Sequence, residues 1–413
     1  MKFLKIVAAA TLLASMLLTA VACKDKNTTP PPAATPEEPR FDYFAIENFG
    51  EYISFDKSVY ENMKIELDTD FTVGEKEIGE YIDLLCFNKR AKTNGDTKVT
   101  KEAIKRGDSA FIFYKGVKYD PVSDKYVEFD GGSNMNDTSP YELVIGSGSF
   151  IEGFEDALIG VIPSETGPED TIAIDLKFPE DYHESSLAGV DVTFYVYVSW
   201  TVQYTIPEYN EKFIKETLKF EAKTDDVVAE HKESIKKSLE AEFESAKNQS
   251  IEYKIWETLY KEATIINYPA SEVKFFYDSY YSDVEQAMTM YSYYGYTFKD
   301  INEFARWYMG LAEDADWKAE LDTQAKKAVA QTLIYHAIAD ACGIVVTDEQ
   351  FNNMVQQYID YYKSSGKDYD AAKILELVGE TPIKEGVLYQ NVVDFIEENA
   401  TITVKPAEET PEA

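Results

Sequence analysis

The sequence predicts an α+β region over residues 106–204, followed by an all-α region that runs to about residue 404. Three observations carry this. Residues 106–204 hold short β-branched and aromatic runs (DSAFIFYKGV, KYVEFDGG, YELVIG, TIAIDLKF, DVTFYVYVSWTVQY) separated by Gly, Pro and Asp turns, the pattern of an antiparallel sheet. Only IEGFEDALIG breaks that rhythm: Ile151, Phe154, Leu158 and Ile159 recur at helical spacing, which places one short helix among the strands. Beyond Pro207 apolar residues fall at helical steps almost to the end, as with Ile235, Leu239, Phe243, Ile255, Trp256 and Leu259.

Taken in order, residues 1–22 read as a signal peptide. Lys2 and Lys5 precede the apolar run IVAAATLLASMLL, which is too short for a comfortable membrane span. The segment closes on TAVAC. Small residues Ala20 and Ala22 before Cys23 resemble a bacterial lipobox, so Cys23 is expected to carry lipid and become the mature N-terminus. Residues 23–40 are Pro-rich with little to bury, and predict an extended tether. Residues 41–105 form a small segment expected to pack on the other domains. In it SVYENMKIELD alternates like a strand, and TVGEKEIGEYIDLLCFNKR predicts a helix with Ile78, Tyr81, Ile82, Leu85 and Cys86 on one face.

In the helical half one long pattern covers DDVVAEHK to LYKEA, and a second helix starts at Pro269, a residue suited to a first turn. A third runs from WKAEL to a stop at Gly343. Thr347 opens the next with a capping-box partner, Gln350. AAKILELVG and IKEGVLYQNVVDFIEEN predict two more, TITV a last strand, and residues 405–413 a disordered acidic tail.

Composition narrows the function. The 413 residues carry a formal charge of −35, and a field of that sign repels phosphate backbones, so nucleic acid is excluded as a partner. The glycines of IGSGSFIEGFEDALIG suggest a phosphate loop, but no Lys-Ser pair follows them and Glu152, Glu155 and Asp156 repel anions. His183, His231 and His336 stand at no metal-ligand spacing, so no metal is expected. Cys86 and Cys342 sit in apolar helical patterns, and the sequence leaves open whether they pair.

The stretches GDSAFIFYKG, FDGG, YELVIGSGSFIEGFEDALIG, FPEDYHESSLAG and VTFYVYV resemble, in order and near spacing, the FKBP-type peptidyl-prolyl isomerase domain of trigger factor chaperones. The helical half is similar to the trigger factor C-terminal domain through IPEYNEKFIKE, AVAQTLIYHAIADACGIVVTDEQFNNMVQQY and LYQNVVDFIEENATIT. The resemblance implies an FKBP-like antiparallel sheet wrapped on a short helix, plus an all-α arm domain. It implies a cofactor-free prolyl isomerase and folding chaperone. Catalytic residues carried over are Tyr114, Phe129, Asp130, Phe154, Tyr182 and Phe194, with substrate contacts from Tyr141, Phe150 and Ile151. Phe154 is expected as the pocket floor, the Ile151 N–H as a donor to a substrate carbonyl, and Asp130 as the polar member that orients Tyr114 or meets the twisting carbonyl.

In the arm, FFYDSYYSDVEQAMTMYSYYGYTF suggests client contacts at Tyr277, Tyr281, Met288 and Tyr291. The basic ribosome-docking loop of trigger factors has no counterpart here. The expected protein is therefore lipid-anchored at the bacterial cell membrane, extracytoplasmic, and engaged with unfolded exported polypeptides but not with the ribosome. The alternative is a non-enzymatic holdase whose isomerase domain is vestigial.

Overall fold

The structure, a computed structural model, describes residues 40–405 apart from 165, 166 and 168. The expected signal peptide, Cys23, the tether up to residue 39 and the tail from 406 lie outside the described residues.

In chain order the elements begin with β1 (Ile53–Ser54), α1 (Ser58–Glu61), β2 (Lys64–Leu67), α2 (Glu75–Asn88) and β3 (Ala91–Lys92). The five strands predicted between residues 106 and 204 follow as β4 (Ser109–Asp120), β5 (Lys125–Ser133), β6 (Tyr141–Val144), β7 (Ile172–Lys177) and β8 (Asp191–Val202). After β9 (Tyr204–Thr205) and a π-helical turn at Phe213–Thr217 come α3 (Val227–Glu262), β10 (Thr264–Ile265) and α4 (Ala270–Tyr293). The chain ends through α5 (Ile301–Tyr308), α6 (Trp317–Cys342), α7 (Asp348–Ser364), α8 (Ala371–Val378), α9 (Glu380–Asn399) and β11 (Thr401–Val404). These divide into two compact units: residues 72–243, and residues up to Phe71 together with Glu244 onward, the second boundary falling inside α3.

The first unit is built on an antiparallel sheet of order β5-β4-β8-β7, with β6 also paired to β4. Alternation sets its faces. Val192, Phe194, Val196 and Val198 are buried at every second position of β8, with Ile112 of β4 opposite Val198, Tyr114 opposite Val196 and Gly116 opposite Phe194. That face packs on Leu143, Ile145, Phe154 and Leu158. Between β6 and β7 the expected short helix is reduced to one 3-10 turn, Asp156–Leu158. Gly153 holds φ +87°, a left-handed backbone that an α-helix cannot continue through. α2 has the predicted face: Ile78 packs with Ile235 and Leu239 of α3, and Tyr81, Ile82 and Leu85 lie alongside.

The second unit is discontinuous in sequence. The stretch read as a single strand over SVYENMKIELD splits into α1 and β2, because Ser58 follows an Asp56 turn whose carboxylate takes the Ser58 N–H at 2.8 Å. β2 pairs in parallel with β11, Ile65 opposite Ile402, and β1 pairs antiparallel with β10. Around α6 gathers a core that includes Leu333, Ile338, Ile255, Leu259, Val392 and Ile396. Gly343 ends α6 at φ +67°, and Thr347 and Gln350 form the capping box at the start of α7.

Two polar groups are buried in this unit with partners. Glu272 is 0% exposed and takes both arms of the Arg40 guanidinium, at 2.7 and 2.6 Å, plus the Phe41 N–H at 2.9 Å. His336 Nε2 lies 2.7 Å from the Glu385 carboxylate, which also accepts the Tyr335 hydroxyl at 2.5 Å. Burial pushes the Tyr335 phenol far above its ordinary range, and the Glu385 carboxylate adds to it.

Candidate functional site

The candidate site is the aromatic cluster at the concave side of the first unit's sheet. Strand geometry delivers Tyr114 from β4, Phe129 from β5, Tyr141 from β6 and Phe194 from β8. The turns after β6 deliver Phe150, Ile151 and Phe154, and the loop after β7 delivers Tyr182. All are buried or packed on the same core cluster except Tyr141, which is exposed but edges onto Phe150 at 5.7 Å between ring centroids.

Phe154 lies at the bottom of the cluster. Its ring meets Phe194 edge-on at 5.1 Å and Tyr114 edge-on at 6.4 Å. It is also covered: Phe150 stacks on it at 4.3 Å, and Phe154 is left 0% exposed. Phe154 is thus capped by a neighbour four residues earlier in the chain.

The walls depend on two glycines. Phe129 stands edge-on to Phe194 at 6.1 Å and to Phe178 at 5.7 Å. A Cβ added at Gly116 would come within 2.7 Å of both Phe129 Cζ and Phe194 Cε1, and one at Gly132 within 2.7 Å of Phe129 Cε2. Neither position accepts a side chain without moving the ring that forms the wall.

The glycine-rich turn is organised by an anion after all, one that the chain itself supplies. The buried Glu155 carboxylate accepts the N–H groups of Gly146 (2.7 Å), Gly148 (3.0 Å), Ser149 (2.8 Å) and Phe150 (3.4 Å), and the Ser147 hydroxyl at 3.1 Å. Converging backbone donors of this kind form an anion nest. The loop is therefore closed to a phosphate and rigid just ahead of the pocket. The next N–H, that of Ile151, donates to no acceptor among the described residues, which leaves it available to a substrate carbonyl.

Of the two roles expected of Asp130, orienting Tyr114 is not seen. Asp130 is exposed and makes no hydrogen bond to Tyr114, because alternation along β5 turns it to the face opposite Phe129. The orienting task falls to Asn134, which sequence reasoning missed. Its Oδ1 accepts the Tyr114 N–H at 2.6 Å, its Nδ2 donates to the Ile112 carbonyl at 3.1 Å, and its own N–H donates to the Tyr114 carbonyl at 3.0 Å. The signal was present as an Asn in a turn just beyond a strand. The Tyr182 ring lies tilted against Phe178 at 4.6 Å and against His183 at 4.3 Å. Burial raises the Tyr114 phenol above its ordinary value, with Tyr141 and Asp137 adding to it, so the hydroxyl stays a neutral donor.

The second site named from sequence lies in α4. Tyr277, Tyr281, Met288 and Tyr291 are half-buried and pack against Val284, Ala287, Phe304 and Trp317, in the seam of α4, α5 and α6. Their spacing selects the inward face, and α5, which the sequence reading did not separate, is what covers it. The outward set is different: Met290, Tyr293, Tyr294, Tyr296, Trp307 and Tyr308 are exposed, with Tyr293 at 88%. No group of side chains fit to hold a metal ion occurs among the described residues, and Cys86 and Cys342 are free thiols.

Comparison with known proteins agrees with this layout. Residues 100–244 match the FKBP-type peptidyl-prolyl cis-trans isomerase model, and residues 227–398 match the bacterial trigger factor C-terminus. The trigger factor of Streptococcus mutans is 27% identical over 344 residues, covering 83% of this chain and 72% of its own. That of Geobacillus thermodenitrificans is 28% identical over 350 residues, with the same coverage. A solved structure of the trigger factor chaperone, concerned with promiscuous substrate recognition in folding and assembly, aligns over 84% of this chain and 73% of its own at 14% identity and a TM-score of 0.33, which fixes no arrangement of domains.

Proposed function

The chain belongs to the trigger factor family, joining an FKBP-type domain to a trigger factor C-terminal domain, and from that premise we propose that it is a membrane-anchored, extracytoplasmic prolyl isomerase and folding chaperone for exported proteins. The observation that carries the enzymatic part is the joint placement of Tyr114, Phe129, Phe154 and Phe194 around one apolar floor, with the free Ile151 N–H beside it.

Rotation about an X-Pro bond is opposed by amide resonance over a barrier of ~18–20 kcal/mol, and uncatalysed exchange takes tens to hundreds of seconds. No nucleophile, metal or proton transfer is needed. Catalysis requires a site that binds the twisted amide better than either planar form. Here the proline ring enters over Phe154 between Phe129 and Phe194, and the Ile151 N–H holds a carbonyl of the substrate. The Tyr114 hydroxyl faces the reacting amide from the wall. The apolar walls take the twisting carbonyl out of water, which favours its less polar twisted form.

A proline-peptide exchange assay tests this. Acceleration by the full chain, lost in Phe154→Ala and in the milder Tyr114→Phe/Phe194→Leu pair with the far-UV spectrum unchanged, is the expected result. No acceleration above the uncatalysed rate overturns it.

One observation favours a second reading, the non-enzymatic holdase. Phe154 has no exposed surface, so a proline reaches it only after Phe150 moves. That reading expects suppression of client aggregation without catalysis, unchanged by Phe154→Ala. In either case clients engage the outward tyrosines and Met290 at the end of α4 and on α5. Adaptable side chains of this kind suit varied partners.

Anchoring rests on the sequence ahead of Arg40. The Lys-flanked apolar run, the TAVAC stretch and the Pro-rich tether together support a lipid on Cys23 and a folded part held off the bilayer. Among the described residues no helix is long and apolar enough to cross a membrane. Metabolic labelling with a radioactive fatty acid checks the anchor: label on the native chain and none on Cys23→Ser is expected, and equal labelling of both refutes it.

A further inference from the structure

The discontinuous unit holds a cavity of about 450 Å³ that the prolyl pocket does not use. That volume lies within the range of specific ligand pockets. Its lining is sorted by chemistry. Ile265, Ala330 and Ile334 give an apolar floor, and the rings of Tyr260 and Tyr268 stand as walls. Lys326 and Lys327, both exposed, border its solvent side. Lys326 is shared with Asp322 at 2.7 Å. Lys327 places its ammonium 5.0 Å from the Tyr260 ring centroid and has no carboxylate within salt-bridge distance among the described residues. On a chain of net charge −35, Lys327 is thus an ammonium beside an apolar cavity that no carboxylate among the described residues neutralises, with Lys326 and its partner Asp322 next to it.

The strand beside the cavity adds a second, independent feature. β10 pairs with β1 alone among the described strands. Ile53 stands opposite Ile265, and the Ile266 N–H donates to the Tyr52 carbonyl at 2.8 Å. In an antiparallel ladder this makes Ile53–Ile265 a non-hydrogen-bonded pair. The N–H and C=O of Ile265 therefore face the free edge of β10, and the same residue lines the cavity.

We propose that this cavity captures the C-terminal residue of an extended polypeptide. An apolar or aromatic last side chain fills the floor, its α-carboxylate meets Lys327 and Lys326, and the preceding residue adds to the free edge of β10. Edge addition and terminal-carboxylate capture are both established modes of peptide recognition. A two-residue edge leading into a lysine-bordered cavity suits a chain end better than a strand passing through. The site is separate from the prolyl pocket and asks nothing of proline.

Fluorescence anisotropy with the full chain tests it. The probes are proline-free heptapeptides carrying an N-terminal fluorophore: one ending in Phe with a free acid, the same peptide as its C-terminal amide, and an amide with an internal Glu before Phe. The acid is expected to bind about three- to tenfold more tightly than the amide, the strength of one or two partly screened ion pairs. Lys327→Glu is expected to erase that preference and leave amide binding unchanged. Ile265→Glu is expected to weaken all three peptides with the melting temperature held, and Phe154→Ala to change none of them. The proposal is overturned by equal binding of acid and amide, by an acid preference that survives Lys327→Glu, by an internal-Glu amide as tight as the acid, or by no saturable binding at all. Loss of prolyl catalysis alone bears on the other site and leaves this one standing.

Discussion

Replacing Phe150 by valine removes the ring that covers the prolyl floor. Phe150 stacks on Phe154 at 4.3 Å and also meets Tyr114 edge-on at 5.2 Å. An aromatic pair of this kind contributes about 0.5–1.5 kcal/mol beyond its buried area. If that contact must open before a proline enters, the competent fraction is small, and apparent affinity falls by that fraction. Converting about 0.5–1.5 kcal/mol into a population gives a factor of roughly two to ten. Phe150→Val is therefore expected to raise kcat/KM by about two- to tenfold, mostly through KM. The assay is exchange of a short Leu-Pro peptide at low temperature, where the uncatalysed background is slowest. Circular dichroism in the same buffer verifies that the variant is folded. A folded Phe150→Val whose kcat/KM falls severalfold refutes the reasoning, since Phe150 would then be a wall that grips substrate. An unchanged value also refutes it, because the ring would then move freely.

Three further outcomes follow from groups described above. Glu155→Ala leaves the N–H groups of Gly146, Gly148 and Ser149 without their acceptor; a loss of about 2–3 kcal/mol by urea unfolding is expected, partly restored by added formate, and a change under 0.5 kcal/mol contradicts the nest. Arg40→Ala strands the fully buried Glu272 and is expected to cost about 3–5 kcal/mol, while Arg40→Met with Glu272→Leu costs less; equal losses in a double-mutant cycle refute a paired buried charge. His231 is held below its ordinary pKa by burial, so the folded state disfavours the proton; its contribution is whole above about pH 6.5 and is lost as pH falls through the lowered value. The melting temperature is expected to drop on going from pH 7.5 to pH 5, and His231→Gln to reduce that drop; an identical pH profile in the variant argues against His231 as a contributor.

Where residue type alone decides an outcome, the sequence was legible. Alternation placed all five main strands, because a half-buried sheet forces a period of two, and the aromatic set at Tyr114, Phe129, Phe154 and Phe194 came with it. Gly343 and the Thr347–Gln350 cap were readable because helix ends have strict chemistry. What was not legible depended on packing rather than on residue type. Tyr277, Tyr281, Met288 and Tyr291 are of the same types as their exposed neighbours, and the packing of α5 and α6 decides which face is inside. Asp130 follows Phe129 by one position and so turns to the other face of β5, while the contact to Tyr114 comes from Asn134, just past the strand's end, where alternation no longer applies. The cap of Phe150 over Phe154 is a matter of rotamer and turn geometry, which no periodicity encodes.

The parallel pairing of β2 with β11 joins residues as far apart as Ile65 and Thr403, 338 positions along the chain. Its thermodynamic penalty is modest, since loop-closure entropy grows only with the logarithm of length. The consequence is one of timing. Chains are made from the N-terminus, and domains generally fold as units as they emerge. The unit of residues 72–243 is continuous and complete once its last residue is free, whereas Tyr60, Ile65 and Leu67 must wait for the final strand before their core closes. Wherever the chain emerges N-terminus first, from the ribosome or across a membrane, the unit of residues 72–243 can close before the helical one, which is for a time an unfinished polypeptide with its own apolar residues uncovered.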